Sequence, residues 1–430
     1  MTGLSLILMF MVLLFFNLPI MLAIGVASVA YCLFFDPVPI AMIMNTYFTS
    51  LDSFPLIAIP FFILAGELMM QGGISTRLIN FCRSLVGATT GALGAVTVVA
   101  SMIFAAVAGS GTATVACIGG ITIPEMLKEK YDNGFACMLA ATAGALGPII
   151  PPSVAMILYG VSCGVSITKL FIGGIIPGIL IGFGLILLVY CVARKNGYGL
   201  SPEQTKNERL PLGRAFREAT WSLLVPGIIL GGIYGGVFTP TEAAVVACVF
   251  ALFVGICVYR EYTIREIPRV FKKATLTSGT ILLLVACATA MGRLLTVEQI
   301  PEQLAETLMD ISANKYVLLL IINVFLLAVG MFMETYAAII LLAPVLLPSI
   351  IAAGIDPLHF GLLMTVNLSI GLCTPPVGVN LFIATRIGRC PIERMFKWMV
   401  PTLGVLLLVQ MLITFIPQLT LFLPNVLIGK

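Results

Sequence analysis

Two proline-rich segments are the positions at which this sequence could bind an ion. Residues 147–152 (GPIIPP) and 371–376 (GLCTPP) each interrupt a long apolar segment. Proline lacks an N–H and clashes with the preceding helical turn, so these prolines unwind the helix and free backbone carbonyls. A free carbonyl in lipid needs a partner, and a cation supplies one. The alternative is a proline kink that serves packing only.

The two segments are copies within an internal duplication. A constant offset of 224 residues relates them, and the same offset aligns further Gly, Pro and Asp residues over a stretch of about 75 residues. These pairs are Pro124 with Pro348, Asp132 with Asp356, Gly164 with Gly388 and Pro177 with Pro401. A repeated, broken membrane helix is typical of secondary transporters.

Each broken helix is preceded by a predicted hairpin with a small, polar midpoint. Residues 108–114 (AGSGTAT) supply backbone that can approach an ion, together with the hydroxyls of Ser110 and Thr112. Residues 330–335 (GMFMET) carry Glu334, and an acid inside a membrane usually serves function. Glu334 could bind a cation, carry a proton or cap a helix at the aqueous rim. A small-residue helix contact is the alternative for the first midpoint.

No Lys or Arg lies in the hairpin midpoints or the helix breaks. An anionic substrate would therefore be met by N–H groups at the starts of the second half-helices, 152–154 and 376–378, where proline occupies the favoured first position. Glu67 and Glu242 lie near the ends of their spans, which favours solvated or capping roles for both. We predict that the substrate-binding residues are Ser110, Thr112, Ser153, Thr335 and Asn380.

The composition indicates the class of protein. Hydrophobic residues make up 60% of the 430 residues and charged residues 10%, and apolar runs of the roughly 20 residues that cross a bilayer recur along the chain. We therefore predict an all-α polytopic membrane protein without a soluble domain, in which residues 194–218 form the longest polar loop. The single histidine, His359, and the lack of a nucleophile and base pair argue against an enzyme. The dispersed charges argue against nucleic-acid binding.

Basic residues predict the topology. Five groups, near 77–83, 128–130, 194–217, 260–273 and 386–397, hold 19 of the 23 Lys and Arg residues. If they mark the cytoplasm, the amino terminus is cytoplasmic, the carboxyl terminus lies outside, and the two copies have opposite orientations. The predicted spans are 4–35, 54–72, 132–163, 166–193, 219–236, 239–259, 274–292, 356–388 and 398–423, with hairpins at 88–127 and 314–353.

Three motifs resemble those of a known family. Residues 108–116 (AGSGTATVA), 150–160 (IPPSVAMILYG) and 374–382 (TPPVGVNLF) resemble the large, DctM/SiaM-like membrane subunit of tripartite ATP-independent periplasmic (TRAP) transporters. The likeness covers essentially the whole chain, and Ala155, where many relatives carry proline, is a small departure. It implies a sodium-driven symporter of a prokaryotic inner membrane that works as an elevator. It also implies two partner chains, a small four-helix membrane subunit and a periplasmic binding protein.

The resemblance further implies about two sodium ions and a division of the chain into domains. One sodium ion would lie between the first hairpin tip and the first break, at Gly109, Ser110, Gly147 and Ile150. The other would lie at Gly330, Glu334, Gly371 and Thr374. The transport domain would comprise residues 88–163 and 314–388, and the scaffold residues 1–87, 164–313 and 389–430.

The predicted function is sodium-coupled uptake of a small organic anion that the binding protein delivers. Sialic acid, a C4-dicarboxylate, another sugar acid and a sulfonate all fit the sequence. Proton coupling through Glu334 is the closest alternative mechanism. An ion channel is a more distant one, because re-entrant hairpins also line pores, but the duplication favours alternating access.

Overall fold

The structure is a computed structural model that describes residues 2–16, 18–87, 89–199, 210–263, 265–311 and 314–429. Over these residues it is helical and contains no β-strand. The first half contains α1 (Thr2–Phe15), α2 (Ile20–Phe35), α3 (Ile40–Thr49), α4 (Ala58–Gln71), α5 (Ile74–Val86), α6 (Ala92–Ala108), α7 (Gly111–Thr114), α8 (Gly120–Lys128), α9 (Asn133–Gly144), α10 (Val154–Cys163) and α11 (Ile167–Asn196). The second half contains α12 (Leu212–Tyr234), α13 (Pro240–Phe253), α14 (Ile267–Val297), α15 (Ile300–Ile311), α16 (Lys315–Gly330), α17 (Thr335–Ala352), α18 (Pro357–Gly371), α19 (Val379–Gly388), α20 (Ile392–Phe415) and α21 (Gln418–Leu427).

The predicted membrane fold is confirmed. Six helical segments are long and apolar enough to cross a bilayer: Phe54–Gln71, Ile167–Asn196, Pro240–Val258, Ile267–Val297, Thr335–Ala352 and Ile392–Phe415. Two hairpins are present, one from α6 to α8 and one from α16 to α17. Each is followed by a helix in two pieces, α9 with α10 and α18 with α19, so both predicted breaks occur. The peptide bonds Pro151–Pro152 and Pro375–Pro376 are both cis.

Aspartate caps explain why one Asp pair persists in the duplication. The Asp132 carboxylate accepts a hydrogen bond from the Phe135 N–H (3.0 Å) at the start of α9. The Asp356 carboxylate accepts from the Leu358 N–H (2.7 Å) at the start of α18. Each cap satisfies a backbone donor that the first helical turn leaves without a partner. Asp132 also accepts from the Trp398 indole N–H (2.6 Å), which ties α9 to α20.

The duplicated helix pattern is longer than the stretch that Gly, Pro and Asp identities mark. Offset by 224 residues, α5 coincides with α15 and α11 coincides with α20. Both α5 and α15 are short amphipathic helices that directly precede a hairpin. Their charges differ in sign, because α5 carries Arg77 and Arg83 whereas α15 carries Glu302, Glu306 and Asp310. Amphipathic helices keep a pattern of apolar positions and not particular residues, so residue identity alone does not reveal this part of the repeat.

Two groups of helices are distinguished by packing. The hairpins and broken helices pack with one another and with α11 and α20, since α20 contacts α9 and α11, and α11 contacts α6. The remaining long helices form a second group, in which α14 contacts α2 and α4, and α13 contacts α4 and α12. The groups meet where α4 and α5 contact α6, and where α14 and α15 contact α17. By packing, α11 and α20 therefore join the hairpins, although the sequence placed 164–313 and 389–430 in the scaffold.

Several predicted spans differ from the observed helices. The predicted span 4–35 is two helices, because the chain leaves the helix before Pro19, which precedes α2. Helix α14 begins at Ile267, seven residues before the predicted start. The predicted span 398–423 divides before Gln418, where Pro417 precedes α21. The short helices α3 and α15 were not predicted.

Parts of three sequence-based boundaries lie outside the described residues. These are the middle of the predicted loop 194–218, at 200–209, the hairpin start at 88 and the domain boundary at 313. The described shoulders of the loop are partly helical, since α11 continues to Asn196 and α12 begins at Leu212.

Removal of either aspartate cap should lower thermal stability. We expect Asp132→Ala and Asp356→Ala each to cost about 1 kcal/mol, with the larger loss for Asp132 because the Trp398 indole also loses its acceptor. Thermal unfolding of the purified protein measures both. The control is Asp52→Ala, at an exposed position that caps no helix. Equal melting temperatures for Asp132→Ala and Asp52→Ala would contradict the capping role.

Candidate functional site

The first hairpin tip lies directly against the first helix break. A Cβ atom on Gly147 would overlap the Ser110 carbonyl and approach the Gly111 nitrogen to 2.7 Å, so only glycine permits this contact. Ser110 Oγ lies 3.1 Å from Thr112 Oγ1. Among the described residues, no N–H or hydroxyl group donates to the carbonyl of Gly147 or of Ile150. The predicted residues of the first sodium site are thus brought together, with oxygen atoms available.

The second tip meets the second break through a similar glycine contact. A Cβ atom on Gly371 would lie 2.6 Å from the Gly330 Cα. The Gly378 N–H donates to the Met331 carbonyl (3.3 Å), which joins the tip to the break. The Thr374 hydroxyl donates to the Ile370 carbonyl (2.8 Å), so its oxygen keeps lone pairs for another partner.

The tip of the second hairpin is longer than that of the first. Two residues, Gly109 and Ser110, separate α6 from α7, whereas four residues, 331–334, separate α16 from α17. The second arms keep the offset of 224, because α7 begins at Gly111 and α17 at Thr335. The first arms do not keep it, which is why Gly371 contacts Gly330 and not Glu334.

The two hairpin tips also meet each other. The Tyr336 hydroxyl at the start of α17 donates to the Gly109 carbonyl in the first tip (3.3 Å). From the second broken helix, the Asn380 side-chain amide donates to the Ala141 carbonyl of the first (3.2 Å). The Asn380 Oδ1 atom and the Thr335 hydroxyl are buried without a hydrogen-bond partner in the described part of the chain. Residues from both copies therefore form one central region with oxygen atoms to spare.

Ser153 has a different environment from the other predicted substrate residues. Its side chain is fully buried; its hydroxyl donates to the Pro148 carbonyl and accepts from the Met156 N–H (3.4 Å). The hydroxyl thus caps α10 and closes the first break. The half-helices α10 and α19 begin at Val154 and Val379, so the prediction that proline occupies their first position is wrong. Proline ends each break and precedes the cap residue.

A cavity of about 490 Å³ lies between the hairpin tips and the second group of helices. Of the predicted site residues it exposes Ser110, Thr112 and Glu334. Helices α4 and α14 form the facing wall. Its polar lining residues are Glu67, Ser110, Thr112, Lys273, Thr277, Thr280, Glu334 and Tyr336.

An ion pair that the sequence does not suggest lies in this cavity. Lys273 Nζ on α14 is 2.8 Å from Glu67 Oε2 on α4. The Glu67 side chain is only 13% exposed, so the predicted solvated or capping role of Glu67 is wrong. Glu242, by contrast, forms the predicted cap, a capping box with Thr239. Lys273 was assigned to a cytoplasmic basic group because α14 was predicted to begin one residue after it, whereas Lys273 lies in the second turn.

Comparisons with known proteins place the chain among permeases. Residues 7–419 match the profile of the family described as "Tripartite ATP-independent periplasmic transporter, DctM component". The chain is 42% identical over 406 residues to the isethionate TRAP transporter permease protein DctMQ of Oleidesulfovibrio alaskensis, covering 94% of this chain and 64% of that protein, so it spans less than two thirds of that relative. It is 39% identical to the sialic acid TRAP transporter large permease protein SiaM of Vibrio cholerae, covering 97% of both chains.

A solved structure has a similar fold. The crystal structure of the YdaH transporter from Alcanivorax borkumensis, described as having an unusual topology, aligns with a TM-score of 0.60 at 18% identity. The alignment covers 87% of this chain and 89% of that one. At this identity the likeness concerns the fold alone, and it extends over nearly the whole chain.

Alanine at either contact glycine should separate the tip from its break. We expect Gly147→Ala and Gly371→Ala each to cost about 1–3 kcal/mol, because the added methyl group overlaps backbone atoms that cannot move aside independently. The matched control is Gly279→Ala in α14, where a Cβ atom meets nothing within 4 Å and alanine should be neutral or slightly stabilising. Thermal unfolding measures all three variants. Equal melting temperatures for the three would show that the tips are not held this closely.

Proposed function

Because the chain belongs to the DctM family of tripartite ATP-independent periplasmic transporter components, we propose that it carries a small organic anion into the cell together with sodium ions. Members of this family are transporter permeases, so the prediction that the chain is not an enzyme is confirmed. The observation that supports sodium coupling best is the pair of hairpin tips, each held against a helix break of its own copy by a glycine contact.

The atoms at these contacts suit sodium. In transporters of this general design, unwound backbone carbonyls at the bilayer midplane coordinate Na⁺. The proposed first ion takes its ligands from the first tip and break, and the second from the other pair. The residues concerned are Gly109, Ser110, Gly147 and Ile150 for the first site, and Gly330, Glu334, Gly371 and Thr374 for the second. At the first site the carbonyls without donors supply the oxygens, and at the second Thr374 Oγ1 is oriented by its bond to Ile370.

The packing supports an elevator with a moving group and a static group. We propose that the hairpins and broken helices move together with α11 and α20, because these helices pack on one another. Helices α1–α4 and α12–α14 form the static group. At the boundary, a Cβ atom on Gly66 of α4 would lie 3.4 Å from the Ala108 Cα at the end of α6. Such small residues allow close helix approach without interlocking side chains.

The substrate is proposed to be a small carboxylate or sulfonate. The two similar permeases described above are named for isethionate and sialic acid, and both compounds are organic acids. The cavity beside the hairpin tips offers hydroxyl groups and one ion pair to such a molecule. We expect the partners to be a small four-helix membrane subunit and a periplasmic binding protein, as the word tripartite in the family description suggests.

Charge asymmetry between the copies supports the proposed orientation in a bacterial inner membrane. The basic helix α5 would lie on the cytoplasmic side and its acidic counterpart α15 on the periplasmic side, in agreement with the positive-inside rule. The amino terminus is then cytoplasmic and the carboxyl terminus periplasmic. The two copies, with these helices on opposite sides, are inverted with respect to each other.

Sodium coupling can be tested with the reconstituted complex. Proteoliposomes that contain the permease, its small subunit and its binding protein should accumulate labelled isethionate, N-acetylneuraminate or succinate only under an inward sodium gradient. The compound that is accumulated identifies the substrate. Equal accumulation when potassium replaces sodium would overturn the proposed coupling.

Loss of the Thr374 hydroxyl should weaken sodium activation. We expect Thr374→Val to raise the sodium concentration for half-maximal uptake about tenfold, equivalent to about 1.4 kcal/mol, because one oxygen ligand is lost. The control is Thr385→Val, which removes a hydroxyl that bonds only the Phe382 carbonyl of α19, beyond the break. Unchanged sodium activation in Thr374→Val would remove this residue from the site.

Glu334 distinguishes sodium coupling from proton coupling. It lines the cavity at the second tip, so its carboxylate could compensate a sodium ion or carry a proton. With sodium as the driving ion, Glu334→Gln should retain uptake driven by sodium, with about tenfold weaker sodium affinity, and remain insensitive to an imposed pH gradient. Wild-type uptake that follows the pH gradient without sodium, and is lost in Glu334→Gln, would establish the proton alternative.

A further inference from the structure

The ion pair between Glu67 and Lys273 lies on the wall of the cavity that faces the hairpin tips. Both residues belong to helices of the static group, Glu67 to α4 and Lys273 to α14. Among the described residues that line the cavity, Lys273 is the only cation. The hydroxyl groups of Ser110 and Thr112 and the Glu334 carboxylate lie on the opposite wall. A molecule in the cavity would therefore have a positive charge on one side and the moving tips on the other.

The two members of the pair are not equally accessible. The Glu67 side chain is 13% exposed, whereas that of Lys273 is 54% exposed. An ammonium group has three N–H donors, and the contact with Glu67 Oε2 occupies one of them. Glu67 thus holds the ammonium group at the cavity wall and leaves donors that can reach a second oxygen anion. Thr277 and Thr280 line the same wall farther along α14.

We propose that Lys273 is the residue that recognises the carboxylate or sulfonate group of the substrate, and that Glu67 is its positioning residue. This inference deepens the proposed transport function and depends on it for the identity of the anion. The predicted absence of Lys and Arg from the tips and breaks holds. The cation that the anion needs comes instead from the facing helix of the static group.

The position of Lys273 on the static group gives its role a direction. When the moving group travels, the tips leave the level of Lys273, so the lysine contacts the substrate in only one of the two end states. In the proposed orientation the first turns of α14 adjoin the basic residues of 260–273 and lie towards the cytoplasm. Lys273 therefore sets the substrate affinity of the cytoplasm-facing state, and the periplasm-facing state is loaded without it.

A purely structural role is the competing explanation. The pair could serve only to join α4 to α14, in which case its removal would lower stability without changing how the cavity treats anions. Lys273→Met keeps most of the apolar stem of the side chain and removes the charge, and Lys273→Arg restores the charge. The matched control is Lys272→Met, which removes an exposed cation of the same helix that does not line the cavity.

A cysteine reporter in the cavity tests the electrostatic claim without sodium or substrate. Thr277→Cys lies one helical turn from Lys273, in a background where the exposed Cys191 and Cys257 are replaced by serine. The thiol is labelled with anionic 2-sulfonatoethyl methanethiosulfonate and, separately, with the cationic trimethylammonium analogue. We expect Lys273→Met to lower the ratio of anion to cation labelling rates about fivefold, Lys273→Arg to retain it, and Glu67→Gln to raise it. Lys272→Met should change it by less than about twofold.

Protection of the reporter then tests recognition of the anion itself. Isethionate, which shares the sulfonatoethyl group of the reagent, should slow labelling by the anionic reagent in the Lys273 protein and not in Lys273→Met. In the reconstituted complex, Lys273→Met should raise the half-saturating isethionate concentration about tenfold for efflux from the cytoplasmic face, with less than about twofold change for uptake.

The outcomes separate this inference from the transport proposal. Unchanged labelling ratios in a folded Lys273→Met protein whose melting temperature has fallen would leave a structural strut and overturn the role of Lys273, even where uptake remains sodium-dependent. Altered ratios together with sodium-independent uptake would retain Lys273 as the anion site and overturn sodium coupling. If Lys273→Met does not fold, the rise expected for Glu67→Gln and the lack of change for Lys272→Met still decide the result.

Discussion

The central constraint on this fold is that each broken helix leaves backbone oxygen atoms within the membrane. Burial of an unpaired carbonyl in hydrocarbon is costly, so the breaks at 147–152 and 371–376 must be covered. Each hairpin tip supplies the cover, and the close contacts at Gly147 and Gly371 show how little space is left between tip and break. Neutral oxygen atoms gathered in this way can bind a small cation without any buried acid at the first site. The constraint therefore also explains why a transporter of mostly apolar composition can select an ion.

Charges are distributed unequally between the two groups of helices. The proposed moving group presents hydroxyls, carbonyls and one acid, Glu334, to the cavity, whereas the static group presents the pair of Glu67 and Lys273. A charge that crosses the bilayer with the moving group costs free energy of transfer and responds to the membrane potential. A cation fixed on the static group avoids this cost. It can assist binding of an anion without adding to the charge that moves.

The sequence predicts those features of the fold that depend on backbone geometry. Tandem prolines break helices, glycine permits the close contacts and aspartate caps a helix start, so these residue types remain identical in both copies and reveal the hairpins and breaks. Helices α5 and α15 escape detection because amphipathic helices keep a pattern and not an identity. Lys273 was missed for a different reason. Helix ends are uncertain by several residues, and an early start of α14 moves this lysine from a cytoplasmic group into the cavity wall.

Glu334 also determines which step of the proposed cycle responds to voltage. With the carboxylate ionised, two sodium ions and a monoanionic substrate make the loaded moving group neutral in its central region, so its passage is insensitive to membrane potential. The empty group then returns with one negative charge, and a potential that is negative inside favours its outward movement by about 2.3 kcal/mol per 100 mV. One positive charge still enters per cycle, but the voltage-dependent step is the return. A dicarboxylate with the same two ions would instead make the loaded step negative, and inward movement would oppose the potential. The acid at the second tip therefore matches two sodium ions to a substrate with a single negative charge, such as a sulfonate or a monocarboxylate.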